Sequence, residues 1–344
     1  MNESKSKILT VIVPTYNMER YLTQCLESIT SIENVDDIDI VVVNDGSTDR
    51  SSEIAHGFAA RFSNSVSVID KPNGHYGSCV NVGLAAAKGK FVKVVDADDW
   101  VEPANFQKLV AELRVCDADL AVCRYVDCFD DGKGVQSVGA VRFPQERVAV
   151  SDIAELELKC LPLFHGAVTY KTALLREIDY RQMEGCLYTD LQWTSIPMAY
   201  IRNVVYFDYP VYMYRLGREG QSVAPEVRVR FLRDEFSVRS QVLKTFAHTN
   251  FVSPDNRRLC KIIARKLASR MYREALVKKE IPIDMLKSFD ESLRSDYPLI
   301  YSQMNREMVS DAILLPYVWL WRHGHNRMLN AAVSFRNLFH KKKK

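Results

Sequence analysis

The first part of the chain alternates short apolar runs with stretches whose apolar residues recur at helical spacing. Helical periodicity follows each run, as in the apolar face that begins near Tyr21. This alternation predicts a doubly wound α/β layer structure, which binds ligands at the carboxyl ends of its strands. Four mainly apolar runs predict the buried strands: 9–13, 38–43, 66–69 and 91–95.

Local signals set the expected helix boundaries. Asn17 is expected to cap the first helix, because its side chain can accept hydrogen bonds from first-turn amides. Gly89 is expected to end the helix 77–88 in a left-handed conformation. Pro103 is well placed in the first turn of a helix over 103–115.

Polar clusters follow the first, second and fourth predicted strands, at 14–17, 44–49 and 96–99. Parallel strands end at one edge of a sheet, so the three clusters are expected to converge. The last cluster places three carboxylates within four residues. Such carboxylates raise one another's pKa, and Mg²⁺ is typically held by one or two carboxylates plus substrate phosphates. The pattern predicts a metal–diphosphate site, and the alternative is an acidic surface turn.

The composition is typical of a globular protein and argues against nucleic-acid binding and against zinc or redox sites formed by cysteines. The 344 residues are 47% hydrophobic and 26% charged, as in an ordinary globular chain. The net charge of +3, without arginine-rich motifs, argues against nucleic acid as a partner. The eight cysteines form no CxxC pair, so reduced thiols are expected rather than a zinc or redox site. With no secretory signal and no run of ~18 apolar residues, we expect a cytoplasmic protein.

Specific motifs carry a family resemblance. Four segments resemble, in order and spacing, the signatures of family 2 inverting glycosyltransferases: 13–17, 44–49, 73–83 and 96–100. Two later segments resemble the bacterial surface-polysaccharide enzymes of that family: 188–190 and 214–222. The resemblance implies a GT-A-like α/β catalytic domain over 1–223, with a single nucleotide-binding domain and a mixed, mainly parallel sheet. A mainly helical C-terminal region, 224–344, is expected to follow.

The resemblance assigns donor-binding roles to the first two clusters and the loop after the third strand. Thr15 and Tyr16 are expected to cradle the base, and an aromatic ring can stack on it. Glu19 contributes to that site, or serves as a first-turn helix acid. Asp45 accepts the imino proton of a uracil or thymine base, or forms an Asx turn. Lys71 lies near the diphosphate or base, or belongs to a plain connecting loop.

The acidic cluster takes the family's D-x-D role. Asp96 is expected to contact the ribose or sugar, and Asp98 to ligate Mn²⁺ or Mg²⁺. Asp99 is expected to assist the metal or to orient its neighbour, and the residues leave open which carboxylate binds directly. His165 is unassigned between a core histidine and a residue that lines the acceptor site.

Asp190 is the expected catalytic base. Displacement at an anomeric carbon needs a base on the face opposite the leaving diphosphate. The family supplies it from an acidic pair, but Thr189 replaces the commoner first acid here, and Glu184 is a second candidate. The alternative for Asp190 is an N-cap to a helix over 191–200. Beyond it, the loop 214–222 is expected to fold over the site and bring an arginine or glutamine to the diphosphate.

The end of the chain is apolar, aromatic and basic. The segment 314–321 contains two tryptophans, and seven Lys or Arg but no acid follow Asp311. Aromatic residues beside basic ones suit an anionic membrane surface, so peripheral attachment to the inner face of the cell membrane is expected. The alternative is a helix packed on the catalytic domain and followed by a disordered basic tail.

Together these features predict a metal-dependent inverting hexosyltransferase-type glycosyltransferase. The expected donor is a nucleotide-diphosphate sugar, with UDP favoured, and the expected acceptor is a saccharide or a lipid-linked one in capsule or exopolysaccharide synthesis. One alternative is a sugar nucleotidyltransferase, which would carry a Gly-rich basic loop where this chain has 14–17. The other is a non-catalytic nucleotide-sugar-binding subunit, against which the intact acids argue.

Overall fold

The four predicted strands lie side by side as the parallel part of a mixed sheet. In register, Leu9 lies opposite Ile38 on one neighbouring strand and Phe91 on the other. The strands are β1 (Leu9–Thr15), β2 (Ile38–Asn44), β3 (Val66–Asp70) and β4 (Phe91–Val94). The structure is a computed structural model that describes residues 7–129, 135–136, 143, 147–158, 163–218, 220–222, 225–310 and 313–341.

Six further strands complete a ten-stranded sheet within the described residues. They are β5 (Trp100–Val101), β6 (Leu120–Phe129), β7 (Val135–Gln136), β8 (Arg147–Val148), β9 (Val168–Lys171) and β10 (Val204–Leu216). The order is β3-β2-β1-β4-β9-β6-β10-β5, with β7 beside β6 and β8 beside β10. Because β9 runs antiparallel to both β4 and β6, the sheet is mixed, which confirms the predicted α/β fold class.

Helices cover the first four strands and bury them. Leu26 and Phe106, from two different helices, join Val11 of β1 and Ile40 of β2 in one buried cluster. Each such side chain contributes about 1.5–3 kcal/mol when fully removed from water. The helices are α1 (Leu22–Thr30), α2 (Ser51–Arg61), α3 (His75–Ala86) and α4 (Pro103–Val115).

Two of the three expected helix-boundary roles are wrong. Asn17 does not cap α1, because its side chain accepts from the Thr48 amide at 2.8 Å and ties two loops together. Gly89 is not left-handed, and glycine is needed there because a Cβ would lie 2.3 Å from the Thr10 nitrogen. Pro103 does begin α4, and the Glu102 carboxylate before it caps the helix.

One compact unit comprises Met1–Val227 and Phe251–Leu259. It also contains α5 (Val150–Leu158), α6 (Thr172–Glu177), α7 (Asp190–Ser195) and 3₁₀ turns at His165–Ala167 and Ile196–Ala199. The predicted boundary between residues 223 and 224 lies outside the described residues, so that division of the chain stays a prediction. All cysteines in the described residues are free thiols, and Cys160 lies outside them.

The second compact unit, Arg228–Asn250 and Cys260–Lys344, is mainly helical. A π-helical turn, Arg273–Val277, interrupts the helices, and β11 (Met308–Ser310) pairs with β12 (Ile313–Pro316). The helices after the sheet are α8 (Pro225–Arg230), α9 (Leu232–Ala247), α10 (Pro254–Tyr272), α11 (Ile283–Asp296), α12 (Pro298–Met304), α13 (Tyr317–Arg322) and α14 (Asn326–Lys341). None of the described helices combines the length and apolar character that crossing a bilayer requires.

The predicted apolar segment 314–321 is divided between β12 and α13. Arg322, at the end of α13, donates to the Asp290 carboxylate at 2.6 Å. Trp319 stays partly exposed. Most of α13 is packed, with Tyr317, Val318 and Leu320 buried, but its contact with Asp290 lies within the second unit rather than on the catalytic domain. The helix α14, rather than a disordered tail, follows it.

A buried charge network holds the helices of the second unit together. The Arg239 guanidinium, almost wholly buried, donates to Glu274 at 2.5 Å and also to Glu235. Arg270, which is half-exposed, reaches Glu274 at 3.1 Å from the side facing water. Burial would raise the pKa of Glu274, but the Arg239 charge overcomes it and holds that pKa below its usual value.

We expect Arg239→Met to lower the free energy of unfolding by about 3–5 kcal/mol, because two carboxylates would lose their buried partner. Arg270→Met is the matched control and should cost at most about 1 kcal/mol, because its charge is screened by solvent. Urea denaturation followed by circular dichroism measures both. Equal small losses for the two variants would contradict a stabilising role for the buried network.

Candidate active site

The polar turns after β1, β2 and β3 meet at one edge of the sheet. The Asp45 amide donates to the Thr15 carbonyl at 2.8 Å, and the Lys71 amide donates to the Asn44 carbonyl at 3.0 Å. These bonds continue the parallel ladders past the strand ends. The strands therefore bring the first two predicted polar clusters and the loop with Lys71 together, as their parallel direction requires.

Asp45 and Lys71 form a buried ion pair. The Lys71 ammonium contacts the Asp45 carboxylate and also donates to the Ser78 hydroxyl at 2.8 Å. The Gly74 amide donates to the same Asp45 oxygen at 2.9 Å. The two predicted donor-binding residues thus lie together, and the loop after β3 folds back onto the loop after β2.

The other predicted base-binding residues differ in whether their side chains are exposed or already hydrogen-bonded within the protein. Tyr16 presents an exposed ring at this edge. The Thr15 hydroxyl turns back to its own strand and donates to the Val13 carbonyl. Glu19 accepts from the Arg50 amide at 3.1 Å, while its own amide donates to the Asp49 carboxylate at 3.0 Å. Thr15 and Glu19 therefore have structural partners, and Tyr16 offers the open aromatic surface.

Asp96 lies at the centre of the acidic cluster. One carboxylate oxygen accepts from the Tyr76 hydroxyl at 2.9 Å, and the other lies 3.1 Å from Nε2 of His165. Burial would raise the pKa of Asp96, but the His165 charge and these hydrogen bonds hold it below its usual value. Burial lowers the pKa of His165, but Asp96 overcomes that and raises it to about 9.

Asp99 is a buried neighbour of Asp96. Its carboxylate accepts from the Tyr212 hydroxyl at 2.5 Å and from the Arg215 amide at 2.8 Å. The same Tyr212 hydroxyl accepts from the Asp96 amide at 3.2 Å, so one phenol joins both acids. Burial, then the Asp98 and Asp96 charges, raise the pKa of Asp99 well above its usual value.

Asp98 points toward the loop after β10. Its carboxylate forms an ion pair with Arg218, and its carbonyl accepts from Nε of Arg215 at 2.7 Å. Burial and Asp96 raise the pKa of Asp98, while the Arg218 charge opposes them. Among the described residues, the predicted loop 214–222 thus contacts the acidic cluster itself.

Three side chains could hold a metal, and only one of them, Asp99, belongs to the predicted pair of metal ligands, Asp98 and Asp99. Ligand atoms of Asp96, Asp99 and His165 all lie within 4.8 Å of one another. Two carboxylates and an imidazole fit a divalent ion such as Mn²⁺, and a cation would stabilise the acids whose pKa burial raises. His165 was not assigned from the sequence, because one histidine before a glycine carries no signal until its neighbours are known.

Asp190 begins α7 near the same cluster. Burial and the Asp96 charge raise its pKa, and the His165 charge opposes them. The helix starts at Asp190 itself rather than at residue 191, and the residue before it makes no side-chain cap. Glu184, the second candidate base, is exposed, and its carboxylate accepts from the Asn81 amide at 2.9 Å.

The segment that carries Asp190 is fastened to α3. Asn81 exchanges two hydrogen bonds with the backbone of Gln182, at 2.9 and 2.8 Å. A Cβ on Gly77 would lie 1.9 Å from the Met183 carbonyl oxygen, so only glycine allows this approach. Residues 73–83 therefore dock the Asp190 segment beside Tyr76, a role that their glycines alone did not reveal.

Comparison with known proteins agrees with this architecture. The family model described as glycosyl transferase family 2 matches residues 10–177. Glycosyltransferase GlyA of Streptococcus pneumoniae is 39% identical over 249 residues, which cover 70% of this chain and 35% of that protein. Glycosyltransferase GlyG of the same organism is 28% identical and covers 69% of this chain and 79% of GlyG. The match to EpsH of Bacillus subtilis spans 37% of EpsH, and the matches to several such relatives span about a third of their length.

Solved structures share the fold at low identity. Staphylococcus aureus TarS 1–349 in complex with UDP-GlcNAc has a TM-score of 0.67 and 19% identity, covering 96% of this chain and 92% of TarS 1–349. Mannosyltransferase PcManGT from Pyrobaculum calidifontis, in complex with GDP-Man and Mn²⁺, has a TM-score of 0.51, 16% identity and coverages of 97% and 87%. With the ordered motifs and the mixed sheet, these findings confirm the predicted resemblance: residues 10–177 match glycosyl transferase family 2, and the chain has the GT-A fold.

Proposed function

We propose that this protein is a metal-dependent inverting glycosyltransferase that acts in surface-polysaccharide synthesis. The observation that carries the proposal is the group Asp96, Asp99 and His165 beside Asp190, at the carboxyl edge of a family 2 sheet. That group offers ligands for a cation, and its neighbour offers a base. The proposed acceptor is a saccharide or a lipid-linked saccharide of a capsule or exopolysaccharide.

The proposed donor is a nucleotide-diphosphate sugar, with UDP favoured. The exposed Tyr16 ring can stack on the base, and the buried Asp45 carboxylate can accept its imino proton. Lys71, paired with Asp45, places a positive charge near the nucleotide. TarS, which shares this fold, has been solved with UDP-GlcNAc, and this supports the same class of donor here.

The proposed metal is Mn²⁺ or Mg²⁺, held by Asp99 and His165 with Asp96 or Asp98. Asp98 becomes available if Arg218 leaves it for the donor diphosphate, because a guanidinium pairs well with phosphate oxygens. The bound cation would offset negative charge on the leaving diphosphate. An imidazole among the ligands favours Mn²⁺ over Mg²⁺, which prefers oxygen ligands.

Asp190 is the proposed base. As the acceptor hydroxyl attacks the anomeric carbon, its oxygen forms the new bond, the bond to the diphosphate oxygen breaks, and the proton passes to Asp190. Attack from the face opposite the diphosphate inverts the configuration without a covalent enzyme intermediate. A pKa raised by burial makes the Asp190 carboxylate a stronger base than an exposed aspartate.

We also propose that the protein attaches peripherally to the inner, cytoplasmic face of an anionic membrane. Trp319, Met328 and Phe335 keep 38%, 53% and 54% of their surface exposed, on α13 and α14. Basic residues without acids surround them in the sequence. Apolar side chains and adjacent basic charges together are what binding to an anionic lipid surface requires.

Asp190→Asn tests the base. We expect the transfer rate to fall by about 10²–10⁴-fold, because the amide cannot accept the proton, while UDP affinity measured by calorimetry stays unchanged. Wild-type activity should fall as the pH is lowered through the raised pKa of Asp190, because the base must be deprotonated. Glu184→Gln is the matched control and should be nearly neutral. Near-normal transfer by Asp190→Asn would remove Asp190 from the chemistry.

The pH dependence of Mn²⁺ affinity tests the metal group. His165, with a pKa near 9, is protonated at neutral pH and must lose its proton to bind a metal. Affinity should therefore rise about tenfold or more per pH unit between about pH 6.5 and 8.5, with at least one proton released, because Asp99, whose pKa is also raised, must be ionised too. His165→Gln should bind more weakly and without that slope, and Asp98→Asn should lose metal-dependent UDP binding. A wild-type affinity independent of pH would contradict His165 as a ligand.

Membrane attachment is tested with point variants, because deleting α13 would remove buried residues. Trp319→Ser with Met328→Ser should weaken binding to phosphatidylserine vesicles at least about tenfold, since two apolar side chains no longer enter the lipid. Added salt should weaken wild-type binding. Val252→Ser, at another exposed apolar position, is the control. Vesicle binding that is the same for all three proteins would contradict the proposal.

A further inference from the structure

Lys93 is a fully buried lysine in the middle of β4. Its side chain is 0% exposed, and within the described residues it forms no ion pair with a carboxylate. Burying an ammonium group is costly unless polar atoms replace its water shell, and burial lowers the pKa of Lys93 to about 8. A strand flanked by Val92 and Val94 could hold an apolar residue here at less cost.

The ammonium group is directed at one short turn. It donates to the Gly166 carbonyl and, at 3.5 Å, to the carbonyl of Val168. Gly166 is the middle residue of the 3₁₀ turn His165–Ala167, and Val168 is the first residue of β9. The lysine on β4 therefore holds the backbone that carries His165, whose ring contacts Asp96.

The same turn is confined from its other side. A Cβ on Gly166 would lie 2.7 Å from the rings of both Phe164 and Tyr212, so the turn packs closely against them. The Lys93 ammonium also lies 5.7 Å from the centre of the Tyr212 ring. Because the Tyr212 hydroxyl joins two acids of the cluster, Lys93 contacts both supports of that cluster.

We propose that Lys93 is a positioning residue, which fixes the His165–Ala167 turn and so keeps His165 in place beside Asp96. The role rests on the proposed function, because it concerns the same acidic cluster. Lys93 itself touches neither substrate nor metal in this account. Its effect on His165 passes through the Gly166 carbonyl, so removing the donor should matter much less once His165 is absent.

A double-mutant cycle tests this coupling. Lys93→Met should lower the transfer rate at saturating donor by about tenfold or more, because small displacements of a reacting group are costly. The same change in a His165→Ala background should add little, since the group that it positions is gone. Phe91→Leu, on the same face of β4 by strand alternation, is the control and should act equally in both backgrounds. If Lys93→Met lowered the transfer rate by the same factor with and without His165, as Phe91→Leu is expected to do, the proposal would be overturned.

Hydrogen exchange separates this proposal from the proposed function. The amides of Ala167 and Val168 close the turn by donating to the Phe164 and His165 carbonyls. In Lys93→Met they should exchange at least about tenfold faster, with β2 amides unchanged. Unchanged protection of the turn overturns the role of Lys93, whereas absent turnover in the wild type overturns only the glycosyltransferase proposal. If Lys93→Met does not fold, Lys93→Gln replaces it, and its shorter donor should give a smaller effect of the same kind.

Discussion

Repulsion among three carboxylates at the end of β4 is the constraint on which the rest of the site depends. Asp96, Asp98 and Asp99 lie within four residues and are largely withdrawn from water, so each needs its own positive or hydrogen-bonding partner. His165 serves the first, Arg218 the second, and the Tyr212 hydroxyl the third. Two of these partners, His165 and Arg218, carry positive charge. In the proposed function a divalent cation replaces the charge of His165, and the donor diphosphate draws Arg218 away from Asp98.

The fold serves this cluster by bringing distant segments to one edge. β9 enters the sheet between β4 and β6, and the turn before it delivers His165. β10 contributes Tyr212 and leads into the loop with Arg218. The docking of Gln182 on Asn81 brings the Asp190 segment to the same place. Each of these contacts joins residues at least 69 positions apart, as between Asp96 and His165.

This long separation in sequence explains why the strands could be predicted but the contacts between distant segments could not. The apolar runs predicted β1 to β4 and their parallel direction, which in turn placed the three polar clusters together. Local patterns could not show that Asn17 would bond to another loop, or that Gly89 is needed for close packing rather than for a left-handed turn. Nor could they show His165 as a neighbour of Asp96, because β9 pairs antiparallel and its position depends on the whole sheet.

In the proposed function the acidic cluster binds a cation and also receives the donor diphosphate. A crystal grown with Mn²⁺ and UDP, with diffraction measured at the manganese absorption edge, locates the ion directly. We expect an anomalous peak at about 2.0–2.3 Å from ligand atoms of Asp99 and His165, with Arg218 moved from Asp98 toward phosphate. A peak elsewhere, or UDP bound while Arg218 and His165 keep their present partners, would contradict it.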